Sequence, residues 1–316
     1  MFERLSIPTP FQVGPVNAYL AGRTLVDPGP DSEEAWAALL DGLDARDLTP
    51  EDVETVLVTH PHPDHFGLAG RLRERGARVV ASEDGTPIVE DFPGRLDHEQ
   101  RYFREFFERC GMDRTTAKVV TNLPDAFAEY APSVSVDRSV GADDTLTVAD
   151  TSLAVETVVG HAKGEVLFEY ERDGERTALV GDNILAGITP NPFLLPPENL
   201  DEPRPRVLPA YNDSLDRLAE AEYDRFLPGH RGNVEDPAGR IAEIRDAHER
   251  RTERVAGLLD HPMTPVEVMH DLFGDLPATE AFSGMSEAVG HLDVLEARDR
   301  VQKDERGGLV VYDRQE

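Results

Sequence analysis

The segment Thr59-His60-Pro61-His62-Pro63-Asp64-His65 limits what this chain can fold into more than any other. It places three imidazoles and a carboxylate within six residues. It follows Val53-Glu54-Thr55-Val56-Leu57-Val58, a run that reads as a buried strand. Imidazole and carboxylate are the ligands that zinc and similar divalent metals favour. Chance is a poor explanation. With ten histidines in 316 residues, the expected number of HxHxDH matches is on the order of 0.001. The two-residue spacing lets an extended backbone aim His60 and His62 the same way. Pro61 and Pro63 predict an open loop here, not a helix.

Strands and helices alternate around this loop. Residues 13–28 read as a strand pair turning at Gly22. A helix follows, with Asp31 or Ser32 as cap and Glu33 and Glu34 in its first turn. Gly67 to Arg75 reads as a helix and Ala77 to Ala81 as a strand. Residues 145–181 return to strands, and another strand ends at Leu227-Pro228-Gly229-His230. This order predicts an α/β layered domain over residues 1–235. Two segments interrupt it. Residues 86–135 read as a helical insert, with aromatics at Tyr102, Phe103, Phe106, Phe107, Phe127 and Tyr130. Residues 187–211 are proline-dense and read as a long ordered loop or lid. Residues 236–316 read as a connecting helix, two more helices and a hairpin at Gly307-Gly308, the layout of a winged-helix-like α+β domain.

The motifs resemble, in order, those of the metallo-β-lactamase-fold hydrolases, over residues 10–235. The HxHxDH loop matches His60, His62, Asp64 and His65; later family motifs match Gly160-His161, Gly181-Asp182 and Pro228-Gly229-His230. The resemblance implies a four-layer αββα sandwich with metals at the edge of its sheets. It implies one metal on His60, His62 and His161, a second on Asp64, His65 and His230, and Asp182 bridging them. Asp27, in Val26-Asp27-Pro28-Gly29, matches a supporting family aspartate. Glu165 stands where the family often has a second histidine, and a carboxylate there can still orient an imidazole ligand. Two divalent ions are the expected cofactors, zinc by default, with manganese and iron(II) as alternatives. Two such ions, about 3.5–4 Å apart, can turn a water into a metal-bound hydroxide near neutral pH. Asp64 or Asp182 would take up the proton afterwards.

Within the family the chain is similar to the glyoxalase-II-like hydrolases, which cleave thioesters. It is also similar to the beta-lactamase-like proteins with a C-terminal winged helix, some of which cut RNA. The leading expectation is hydrolysis of a small acyl thioester or ester; a metal-dependent endoribonuclease or phosphodiesterase is the alternative. Charge weighs between them. Asp and Glu number 62 against 32 Lys and Arg, a formal charge of −30. Residues 261–316 alone hold twelve acidic and five basic residues. Nucleic acid and anionic membranes both need the opposite sign. Arg71, Arg73, Arg75 and Arg78 are the one candidate basic strip. With only Lys118, Lys163 and Lys303 as lysines, the composition resembles that of a cytoplasmic protein from a salt-loving organism. The N-terminus lacks a basic-then-apolar leader, and the expected location is the cytoplasm. The expected partner is a small-molecule substrate, with a homodimer through the C-terminal module also expected. The aromatics of the insert could line an apolar entrance with Phe193, Leu194 and Leu195, or pack the insert down. Cys110 and the histidines His98, His248, His261, His270 and His291 read as packing or surface residues.

Overall fold

Apolar, β-branched runs in the first 230 residues or so pair into two sheets. The structure, a computed structural model, describes residues 1–315. In chain order it runs β1 (Glu3–Ile7), β2 (Val16–Ala21), β3 (Thr24–Val26), α1 (Glu33–Asp44) and β4 (Thr55–Leu57). Next come α2 (Pro63–Phe66), α3 (Ala69–Arg73), β5 (Arg78–Ser82), α4 (Thr86–Glu90), α5 (Phe92–Arg109) and α6 (Arg114–Asn122). Then follow β6 (Arg138–Val140), β7 (Thr145–Val148), β8 (Thr151–Thr157), β9 (Val166–Arg172), β10 (Glu175–Gly181), α7 (Val207–Glu220) and β11 (Arg225–Pro228). The chain closes with α8 (Pro237–Leu258), α9 (Pro265–Phe273), α10 (Ala278–Ala297), β12 (Val301–Arg306) and β13 (Leu309–Arg314).

Two compact units result. The first comprises Met1–Gly94, Ala126–Pro190 and Arg217–Ile241. One of its sheets has the order β1-β2-β3-β4-β5-β6, the other β11-β10-β9-β8-β7. Their inner faces meet in one apolar core: Tyr19, Val26, Leu57 and Val80 from the first, Val155, Val166, Phe168 and Leu179 from the second. This is the ββ centre of the expected α/β sandwich. Helix α1 lies against β1. Its apolar residues Ala35, Leu39 and Leu43 are buried at four-residue intervals, and the Ser32 side chain accepts the N–H of Ala35 as N-cap. Strands β3, β4 and β5 are mutually parallel, as are β10 and β11. Loops that leave parallel strands at their carboxyl ends share one edge, which is where ligand sites of layered α/β folds form.

The second unit comprises Arg95–Asp125, Asn191–Asp216 and Ala242–Glu316. It therefore takes in most of the helical insert and of the proline-rich loop along with the C-terminal helices, so a single cut near residue 235 does not describe the packing. The physical reason is a shared core. Phe103, Phe107, Cys110 and Val120 of the insert and Leu194 of the loop pack with Val255, Met269, Met285 and Leu292. Phe103 and Phe107 meet Phe282 at ring-centroid distances of 5.0 and 5.4 Å. Of the two readings of these aromatics, packing holds for Phe103, Phe107 and Leu194, and the entrance reading fails for them. Phe127 and Tyr130 instead contact Phe11 in the first unit. The proline-rich segment also ends earlier than its composition suggests. Helix α7 already begins at Val207 and accommodates Pro209 in its first turn, where a proline costs no intrahelical hydrogen bond.

Candidate metal centre

Each expected ligand follows a strand of the first unit. His60, His62, Asp64 and His65 follow β4, His161 follows β8, Asp182 follows β10 and His230 follows β11. The first ligand loop departs from its sequence reading in one respect. Pro63 does not keep the chain open; it starts the short helix α2, and His62 precedes it with extended dihedrals. Proline at the first helical position has its φ already set and needs no N–H there. The result is a change of direction. His62 sits on extended chain just after a bend at Thr59 and His60, while Asp64 and His65 ride a helical turn and face a second position.

Three ring nitrogens converge at the first position. His62 Nδ1 lies 3.2 Å from His60 Nε2 and 3.0 Å from His161 Nε2. Metal–nitrogen bonds of about 2.0–2.1 Å in a tetrahedron put neighbouring nitrogens about 3.3 Å apart, close to this spacing. At the second position His230 Nε2 is 3.2 Å from Asp64 Oδ2, and His65 Nε2 is 4.0 Å from it. Asp182 faces both. Its Oδ2 is 3.7 Å from His161 Nε2 and 3.5 Å from His230 Nε2, and its Oδ1 is 3.7 Å from His65 Nε2. The donor atoms fall into three groups, each within 4.8 Å: His60, His62 and His161; Asp64, His65 and His230; and His60, His65 and Asp182.

These residues fit divalent metal. His65 Nε2, His230 Nε2 and Asp182 Oδ1 are buried and none makes a hydrogen bond. Buried polar atoms are normally paired, and three orphans aimed at one another call for a cation between them. The far side of three of the rings is engaged. His65 Nδ1 is 2.9 Å from Asp27 Oδ2, His230 Nδ1 is 2.9 Å from the Pro15 carbonyl, and His60 Nδ1 is 3.1 Å from Thr59 Oγ1. Such contacts place the proton on Nδ1 and leave Nε2 as ligand. The protonation balance differs between the two positions. Burial and the surrounding imidazoles hold His60 well below the ordinary histidine value, and His62 is brought to about 3, by burial first and then by His161. Burial pushes Asp64 and Asp182 up, but His65 and His230 overcome it and keep both carboxyls ionised. Burial pushes His65 and His230 down, but Asp64 and Asp182 overcome it and hold both above the ordinary histidine value, so a metal bound there would displace their protons.

Sequence reading had placed all nine candidate residues, and the structure brings them to one edge of the first unit. Asp27 supports the loop directly. Its backbone takes the left-handed φ of 50°, which Asp tolerates better than most residues. That turn sends Oδ1 to the Thr59 N–H at 2.8 Å and Oδ2 to the Thr59 hydroxyl at 2.6 Å. Glu165 is buried and acts on its loop's backbone. Its Oε2 accepts the N–H of His161 at 3.1 Å and the amide of Asn183 at 2.9 Å. Two glycines are required by crowding. A Cβ on Gly181 would lie 2.7 Å from Thr59 Oγ1, and one on Gly229 would lie 2.5 Å from Asp182 Oδ1 and 2.6 Å from His65 Cε1.

Sequence reading missed the residues that hold the ligands. Thr59 links Asp27 to His60. Asn183 links Asp182's loop to Glu165. Ser82, at the end of β5, donates to the Gly164 carbonyl and accepts from the Gly85 N–H. Asn17 and Tyr19 grip the turn of His230. The available signal was faint: Asn17 is the lone amide within a strand of otherwise apolar or aromatic residues, and every residue of that strand is buried.

The model of the metallo-beta-lactamase superfamily matches residues 12–230. A "Probable metallo-hydrolase YqjP" of Bacillus subtilis is 31% identical over 312 residues, covering 98% of this chain and 96% of that protein. The crystal structure of metallo-beta-lactamase family protein TTHA1429 from Thermus thermophilus superposes with a TM-score of 0.81 at 29% identity, over 99% of this chain and 98% of that one. A beta-lactamase domain protein from Burkholderia ambifaria also gives 0.81, at 25% identity over 99% and 91%. Fold, cluster and family model agree: the chain belongs to the metallo-beta-lactamase superfamily.

Proposed function

We propose that the chain is a metal-dependent hydrolase with a two-ion centre, acting on a small acyl thioester or ester. The observation that carries this reading is the pair of three-donor groups facing each other across Asp182. The Bacillus subtilis relative, a probable metallo-hydrolase, supports the reaction class. When bound, two divalent ions supply an activated water and polarise the substrate's acyl oxygen. The chain's own residues do the rest. His60, His62 and His161 would hold one ion, and Asp64, His65 and His230 the other, with Asp182 between them. Asp27 and Thr59 keep the first loop rigid. Asp64 or Asp182, kept ionised by the neighbouring imidazoles, would take the proton that leaves the attacking water. Zinc is the default for such a donor set, with manganese and iron(II) as alternatives.

A phosphodiester substrate is less well supported. The one basic strip is largely paired: Arg71 with Asp31 and Glu33, Arg73 with Asp137, Arg75 with Glu51. Little of it is free to neutralise phosphates. The helices α8, α9 and α10 followed by the β12–β13 hairpin support a winged-helix-like module. Its acidic composition makes a structural or dimer-forming role the better assignment than nucleic-acid contact. The test is hydrolysis of a panel of acyl thioesters and esters in molar salt, with zinc, manganese and iron(II) compared. Metal-dependent turnover that is lost in His62→Ala and Asp182→Ala is the expected result. No turnover on any member, with two ions bound, overturns the substrate class and directs attention to phosphodiesters.

A further inference from the structure

The turn that carries His230 is held from one side chiefly by β2, with Arg4 of β1 adding a donor to the Arg231 carbonyl at 3.0 Å. Val16 bridges His230, and the Asn17 N–H donates to the Gly229 carbonyl at 2.6 Å. The Asn17 side chain then spends both hydrogens of its amide nitrogen on the two ends of the same turn. One goes to the Pro228 carbonyl at 2.9 Å, the other to the Arg231 carbonyl at 3.0 Å. Tyr19 adds its hydroxyl to the Pro228 carbonyl at 2.8 Å. Asn17 is buried inside an otherwise apolar or aromatic strand, where an amide is costly unless fully paired.

The opposite side of the turn has no slack. Gly229 already sits so close to Asp182 and His65 that even a methyl would collide. The Gly229 N–H is tied to the Gly181 carbonyl at 2.7 Å. Arg231 leaves the turn with a φ of 66°, a left-handed conformation that a non-glycine residue rarely takes unaided. The turn cannot move inward because of Asp182 and His65, and Asn17 prevents it from opening outward. Only a side chain with two hydrogens on one short-armed nitrogen can close both ends at once. Serine or threonine would hold one end, and a carboxylate would face two carbonyl oxygens.

We propose that Asn17 is the positioning residue of His230, and so sets the affinity of the second metal position without touching the metal. This rests on the two-ion reading given above. The consequence is selective. His230 belongs to the group with Asp64 and His65, while His60, His62 and His161 are held by other contacts, so loosening the turn weakens one ion and spares the other.

The experiment is an equilibrium titration of metal-stripped protein with cobalt(II) in molar salt, followed by visible absorption, for wild type, Asn17→Ala, Asn17→Ser and Tyr19→Phe. Wild type is expected to take up two ions. In both Asn17 variants the second ion should bind about ten- to a hundredfold more weakly, the usual cost of losing a group that orients a metal ligand. The first ion should change by less than about threefold, and Tyr19→Phe should weaken the second by only a few-fold. Second-ion binding as tight as wild type in folded Asn17 variants overturns the proposal. Equal weakening of both ions also overturns it, because that is what a merely structural asparagine would do. Should both Asn17 variants fail to fold, Tyr19→Phe decides in the same way, by whether its effect falls on the second ion alone. Wild type that does not take up two ions overturns the metal-centre reading itself, and this inference with it.

Discussion

Both units bury histidines, but to different ends. In the first unit five imidazoles crowd one edge, and their nitrogens converge on each other and on two carboxylates. In the second, His248 and His291 are equally buried, but their ring centroids are 6.4 Å apart. Three of their four nitrogens are engaged with the protein, and the fourth, His248 Nε2, is a single buried atom without a hydrogen bond. His291 Nδ1 is 2.8 Å from the Thr252 hydroxyl, and its Nε2 is 3.2 Å from Glu287, which Arg251 also pairs. His248 Nδ1 is 2.8 Å from the Asn212 carbonyl oxygen. Among the described residues, every three-donor group that could hold a metal lies in the first unit. Burial of a histidine therefore carries little information. Convergence of several unsatisfied donor atoms is what separates a ligand set from a structural polar network.

The strongest way to break that comparison is to remove one member from each cluster. His62→Ala should lower metal-dependent turnover by at least about a hundredfold and reduce the metal bound per chain. His291→Gln should leave metal content and turnover within about twofold while lowering stability by about 1–3 kcal/mol, since Glu287 and Thr252 lose a buried partner. Metal analysis beside denaturant unfolding separates the two effects. A His291 variant that loses metal would end the distinction.

A pH series sharpens the comparison further. Burial lowers the His248 pKa to about 4 in the folded protein, against an ordinary value of 6.5. The unfolded chain therefore takes up the proton first as pH falls. The contribution of neutral His248 is fully present above about 6.5 and is lost progressively down to about 4, amounting to about 3 kcal/mol at most. The metal-site residues titrate as well, so the quantity to compare is wild type minus His248→Gln. That difference should fall, by up to about 2 kcal/mol, as pH drops from 7 to 5. A difference that stays flat would mean His248 is not held neutral by burial.

The same contrast explains what the sequence could and could not show. The ligands were legible because HxHxDH is local and the later ligands each follow a strand in family order. The α/β layering was legible from the alternation of strand and helix, and the αββα order came from the family resemblance. The grouping of the insert with the C-terminal helices was not, because Phe103 and Phe107 find Phe282 across some 175 residues of chain, and periodicity marks a face as apolar without naming its partner. The hydrogen bonds of Asn17 to the His230 turn span a separation of 211 to 214 positions. They exist only once β2 is in register beside that turn. Pro63 was misread for a different reason: a proline breaks a helix from within but starts one readily, and only the following Asp64-His65-Phe66 decides which.

Cys110 gives the smallest expected effect on function. It is fully buried among Phe107, Met112 and Met263. Burial pushes its thiol up to about 12, so at neutral pH it carries almost no thiolate. The thiolate is the nucleophile and the metal ligand, and an inert thiol behaves as a small hydrophobe. Cys110→Ser should keep metal content at the wild-type level and turnover within about twofold. It should cost about 1–2 kcal/mol of stability, because a hydroxyl replaces the sulfur in an apolar setting. Turnover and metal analysis on the purified variant, with an unfolding curve alongside, check all three. A variant that keeps its fold and its metal but loses turnover would show that the second unit's core reaches the reaction, and the separation drawn between the two units would have to be abandoned.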